Sequence, residues 1–137
     1  LKTVLYAMYH ETSEVMTGDL PTPVKYYNRS IHGAYKQLEK SACEKITDML
    51  PEELKKGIAP FVLADEDSEE YRLVKAADRL SAYIKCLEEL RSGNSEFSKA
   101  KKSIEADLRS RHMPEVEYFF ENFIPSFSLT LDELEGF

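Results

Sequence analysis

Between its prolines this chain repeats its apolar residues at helical spacing, and no stretch of it reads as a convincing strand. The six prolines stand at 21, 23, 51, 60, 114 and 125, and glycine occurs only five times. Backbone breaks are therefore confined to a few joints, and the stretches between them are free to be helical.

Residues 1–16 read as one helix. Ser30 to Met49 is predicted as a second, with Ile31, Ala34, Tyr35, Leu38, Ala42, Lys45 and Ile46 tracing a mostly apolar stripe. Pro51-Glu52-Glu53-Leu54 has the proline and the acids that favour a first turn, so a third helix should run to about Leu63. The acidic run from Asp65 to Glu70 links to, and caps, a fourth helix from about Ser68 to Leu90, stopped by Ser92-Gly93-Asn94. A fifth is expected from Ser95 to about Arg111, ended by Pro114, and a sixth from there to Phe123, with a last turn at Leu131 to Leu134. With no strand and no internal repeat, the expected class is all-α: a single helical bundle of about six helices, one domain over residues 1–137.

At 137 residues, 42% of them apolar and 15 aromatic (7 Phe, 8 Tyr), the chain can build one packed core. A formal charge of −7 argues against nucleic acid as a partner, because binding a polyanion needs a basic face. No apolar run approaches the ~20 residues that span a bilayer, and no leader is visible, so the expectation is a soluble, cytoplasmic protein with no membrane partner. Cys43 and Cys86 stand singly and read as small buried thiols. The opening Leu1 to Tyr9 is hydrophobic from its first residue and has no cap in front of it, which reads as a chain entered partway along.

The residues that point to chemistry begin with His10-Glu11-Thr12-Ser13-Glu14. On a helix His10 and Glu14 share a face one turn apart, with Glu11 about 100° round from His10. Imidazole with carboxylate is a ligand set for manganese, cobalt, zinc or iron. Gly18-Asp19-Leu20-Pro21-Thr22-Pro23 then breaks the helix and places Asp19 in a loop beside its end. In the fourth helix Asp78 stands among small and apolar neighbours, so it should be paired or ligating; Arg79, Lys75 or another helix are the commonplace partners.

The run from Ala7 through Tyr26, with Leu73-Val74-Lys75-Ala76-Ala77-Asp78, Tyr83 to Leu90, Phe123-Ile124-Pro125-Ser126-Phe127 and Leu131-Asp132-Glu133, resembles the bacterial 5'-deoxynucleotidase family of the HD-domain phosphohydrolases. The resemblance covers essentially the whole chain. It implies an all-helical, homodimeric, cytoplasmic enzyme that removes phosphate from deoxynucleoside 5'-monophosphates with one divalent metal ion, cobalt first, with manganese or another transition metal as substitutes. Carried over by position, His10, Glu11 and Asp78 are the metal ligands and Glu14 the catalytic carboxylate. Asp19, Leu20, Pro21 and Thr22 line the sugar and base, with Glu11 and Asp78 also against the substrate. The family pattern has Asp where this chain has Glu11, a side chain longer by ~1.5 Å, one carbon–carbon bond. The family's first histidine ligand and an Arg-Trp pair that grips the substrate are expected upstream of Leu1, since neither His32 nor His112 substitutes for that histidine. Without them the chain is expected to be inactive.

Taken singly, these residues have ordinary explanations: Glu11 and Glu14 as solvated charge, Asp19 as a turn former, His10 as a satisfied ring. Their conjunction in one pattern favours the enzyme. The competing readings are a catalytically impaired nucleotide-binding or regulatory HD-domain protein, kept open by Glu11 and by the missing upstream ligand, and a helical scaffold without ligand. Lys25 and Lys75 are lesser candidates for neutralising phosphate, a solvated face being at least as much expected for each. Tyr118, Phe119, Phe120 and Phe123 read as core or dimer contact.

Overall fold

Beyond residue 25, helix starts and stops fall close to where the caps and prolines put them. The computed structural model describes residues 1–25, 27–130 and 133, with the backbone alone at 22 and 23. The α-helices are α1 (Lys2–Tyr9), α2 (Glu14–Thr17), α3 (Thr22–Lys25), α4 (Arg29–Asp48), α5 (Glu52–Val62), α6 (Glu69–Arg91), α7 (Phe97–Ser110) and α8 (Pro114–Asn122), followed by a 3-10 helix (Ile124–Ser128). Among the described residues there is no strand, and six of the α-helices have eight residues or more, in line with the all-α expectation. The turn foreseen at Leu131 to Leu134 lies outside the described residues except for Glu133, whose carboxylate accepts from the Thr130 N–H at 2.7 Å. No helix among those described is long and apolar enough to cross a membrane.

By contact the chain falls into two compact units, Leu1–Val74 and Lys75–Phe137. In the first, α4 opens on Asn28, whose side-chain oxygen accepts from the Ile31 N–H at 2.8 Å and satisfies a donor the helix leaves orphaned. The buried face of α4 is rotated from the predicted stripe. Tyr35, Ala42 and Thr47 are buried, whereas Ile31 and Leu38 are 38% and 53% exposed. A stripe of apolar letters does not say which half of it meets a neighbour. Tyr6 of α1 is the unit's aromatic hub, its ring meeting Phe61 edge-on at 5.5 Å and Tyr71 at 5.8 Å, which joins α1 to α5 and to the first turn of α6.

The second unit is built on Ala76, Leu80, Tyr83 and Cys86 of α6, which recur at helical spacing and pack on Ile104 and Leu108 of α7 and Val116 and Phe120 of α8. Tyr83 meets Phe120 edge-on at 5.1 Å. Its hydroxyl donates to Glu105 at 3.2 Å, and burial, then the Glu105 charge, pushes its pKa up to about 12. The α6 helix stops as predicted: Gly93, at φ +88°, lets the Asn94 N–H turn back to the Glu89 carbonyl at 2.9 Å. Cys86 is buried as expected and Cys43 only half-buried. Of the aromatic ring residues, Phe120 is core, while Tyr118 and Phe123 are exposed.

Candidate metal and substrate site

The predicted single helix over residues 1–16 opens at His10. Two side chains capture the carbonyls that would continue it. The His10 ring Nδ1 donates to the Ala7 carbonyl at 2.8 Å, and the Thr12 hydroxyl donates to the Tyr9 carbonyl at 2.7 Å. The backbone tightens to i→i−3 bonds, Thr12 N to Tyr9 O and Glu14 N to Glu11 O, before α2 begins. His10 and Glu14 are therefore separated by a turn rather than stacked on one regular helix face.

This local break orients the imidazole. A carbonyl can only accept, so Nδ1 carries the hydrogen and Nε2 is left to point elsewhere. That Nε2 is buried and has no hydrogen-bond partner among the described residues, and its nearest charged neighbour is the Glu11 carboxylate at 3.6 Å. A lone pair facing a carboxylate is unfavourable unless something positive lies between them. Two donors with bonds of about 2.1 Å to one ion sit about 3.0–3.4 Å apart, so a few tenths of an ångström of closure would let both bind a divalent cation. The residues present fit such an ion. The longer Glu11 side chain still brings its carboxylate to His10.

Glu14 is half-buried, and its pKa is raised above the usual 4.5 first by burial, then by the nearby charges of Glu11 and Asp19; Glu39 adds to this and Lys25 opposes it. Four carboxylates and one lysine thus share one field in the first unit. Asp19 is exposed, in the loop that follows Gly18. Gly18 ends α2 at φ +68° and ψ 168°, a conformation that is essentially glycine's alone, and this turns the chain from α2 towards Asp19. Leu20 is half-buried and Pro21 exposed, the Pro21 carbonyl accepting the Val24 and Lys25 N–H groups that start α3. The side chain of Thr22 lies outside those described.

Two sequence expectations need correction. Lys25 does not lie on a solvated face: its ammonium is 2.8 Å from Glu39 and 4.7 Å above the Tyr35 ring, so its charge already has a carboxylate. Asp78, on α6 in the second unit, is exposed rather than enclosed by apolar neighbours, and its suggested partner Arg79 bonds Asp107 instead at 3.2 Å. Asp78 falls on the solvent side because Ala76 and Leu80, two positions before and after it, take the core side of α6. No sequence pattern marks Tyr35 or Glu39 as part of a site: Tyr35 is one more residue of the α4 stripe, and only its hydroxyl sets it apart.

The family profile described as 5'-deoxynucleotidase YfbR-like matches residues 1–127. The chain belongs to the YfbR-like 5'-deoxynucleotidase family. A 5'-deoxynucleotidase of Vibrio cholerae serotype O1 is 52% identical over 134 residues, which are 97% of this chain and 69% of that protein. The 5'-deoxynucleotidase YfbR of Escherichia coli K12 is 54% identical over 136 residues, 97% of this chain and 67% of its own length. A 5'-deoxynucleotidase of Erwinia tasmaniensis is 54% identical over 134 residues, 97% and 68% respectively. The YfbR-like match begins at residue 1, so it takes in the opened helix end, the Gly18 turn and Asp78 alike.

Proposed function

We propose that this YfbR-like chain is a metal-dependent phosphomonoesterase that hydrolyses deoxynucleoside 5'-monophosphates to deoxynucleosides and phosphate, with residues 1–137 working as one HD-type domain of a cytoplasmic homodimer. The observation that carries the proposal is the buried, unpartnered His10 Nε2 held opposite the Glu11 carboxylate in a chain of this family. Following the family resemblance, we assign His10, Glu11 and Asp78 to one divalent cation, cobalt first. Such an ion supplies Lewis-acid charge that offsets the phosphate's negative charge and eases deprotonation of water.

The chain's own residues then divide the remaining work. Glu14, with its raised pKa, handles the proton of the attacking water or of the departing 5'-oxygen, a role that favours a carboxyl whose pKa has moved towards neutrality. Asp19, exposed on a turn whose geometry Gly18 sets, accepts a hydrogen bond from the sugar 3'-hydroxyl. Leu20, Pro21 and Thr22 are assigned by the family resemblance to the sugar and base, the segment that discriminates against a 2'-hydroxyl.

The test is release of inorganic phosphate by the full-length protein from deoxy- and ribonucleoside 5'-monophosphates with added cobalt or manganese. Deoxynucleotides are expected to be cleaved preferentially, Glu14→Gln to lower kcat by about 10²–10⁴-fold, and Asp19→Ala to narrow the preference. Absence of phosphate release with every divalent ion tried refutes the proposal, and an unchanged preference in Asp19→Ala removes that residue from it.

A further inference from the structure

The loop proposed to read the sugar is held at both ends by one side chain that makes no part of it. Tyr35, on the second turn of α4, is 5% exposed. Its hydroxyl donates to the Gly18 carbonyl at 3.1 Å, fixing the end of α2 where the loop leaves. Its ring lies 4.7 Å beneath the Lys25 ammonium, and Lys25 is the last residue of α3, where the loop returns. Glu39, one turn further along α4, anchors the same ammonium at 2.8 Å. Asp19, Leu20 and Pro21 thus hang between two points that Tyr35 touches simultaneously.

We propose that Tyr35 is a positioning residue for deoxyribose recognition, setting the height and direction of the Asp19 carboxylate through the Gly18 carbonyl. The inference rests on the sugar reading of Asp19 given above. Gly18 makes the arrangement sensitive. Its unusual dihedrals are open to glycine at little energy, but so are others; the same carbonyl accepts a local bond from the Thr17 hydroxyl at 3.0 Å, which moves with the segment, and the Tyr35 hydroxyl bond is the tertiary contact that ties it to α4. A recognition residue one position past a permissive joint inherits whatever angular spread that joint has.

Tyr35→Phe separates this from a packing role, because the ring, its burial and the Lys25 contact all remain and only the hydroxyl goes. In the full-length enzyme, KM for a deoxynucleoside 5'-monophosphate is expected to rise about fivefold, the equivalent of one neutral hydrogen bond. We expect kcat to stay within about twofold and the deoxy-over-ribo ratio of kcat/KM to fall by a similar factor. In an Asp19→Ala background the same substitution should change neither quantity further, since the two residues act in series. The inference is overturned if Tyr35→Phe leaves KM and discrimination at wild-type values, or lowers kcat equally for deoxy and ribo substrates, while Asp19→Ala still erodes discrimination. If Asp19→Ala itself leaves discrimination intact, the sugar reading fails first and takes this inference with it.

Discussion

Replacing Gly18 by alanine tests the backbone geometry on which the Asp19 loop depends. A methyl group built on Gly18 meets nothing within 4 Å, so the substitution adds no collision with the surroundings. What it adds is backbone strain, because φ +68° with ψ 168° lies in a region that residues with a Cβ avoid at about 1–3 kcal/mol. At roughly 4 °C per kcal/mol for a chain of this length, the melting temperature should drop by about 4–12 °C. Gly33 in α4 and Gly57 in α5 provide the internal control. A Cβ at either also meets nothing within 4 Å, and neither has a positive φ, so alanine there should stabilise by about 0.5–1 kcal/mol. The same chemical change is therefore predicted to have opposite signs at different sites, read by thermal unfolding with far-UV circular dichroism. Should the Gly18 variant shed its strain by letting the loop move, the same energy reappears as a KM raised about 5- to 150-fold. A Gly18→Ala protein with both melting temperature and KM at wild-type values would refute the argument.

Leu108 is fully buried in the core of the second unit, and Leu108→Ala should destabilise by about 3–5 kcal/mol in chemical denaturation; a change below about 1 kcal/mol would mean that this core is loosely packed. Glu14→Gln, predicted above to damage turnover, should melt higher than wild type at neutral pH. Burial and like charges raise the folded-state pKa of Glu14, so the fold prefers its protonated form; that preference is fully present below the usual 4.5 and is lost as pH rises through the raised value. Melting curves of the two proteins should converge in acid and separate above it, and separation in acid alone would reverse the sign.

Helix limits were legible because their signals are local. Pro51 and Pro114 at helix starts and Gly93 at a helix end each act on neighbouring backbone groups, and each works as its residue type predicts. The opening at His10 was hidden because two side chains that a helix ordinarily tolerates, His10 and Thr12, both bonded backwards to carbonyls in the same turn. Burial was less legible than helicity. Ile31 and Leu38 belong to the apolar stripe of α4 yet remain exposed, and Asp78 sits outside an otherwise apolar run, because facing is set by what packs on a helix and not by its own letters. Of the candidate site, the residue types around His10, Glu14 and Asp19 could be read from their pattern, whereas the part played by Tyr35 required two contacts with residues 17 and 10 positions earlier.

The bond from His10 Nδ1 to the Ala7 carbonyl makes position 10 a place for a side chain with two working ends. Asparagine would reproduce the inner nitrogen and keep the carbonyl occupied, but it has nothing to offer where Nε2 stands. Glutamine would extend to the outer position and abandon the carbonyl. Drift at this position therefore has no intermediate stop: a replacement that keeps the turn empties the outward face, and one that fills the outward face lets the turn wind back into helix.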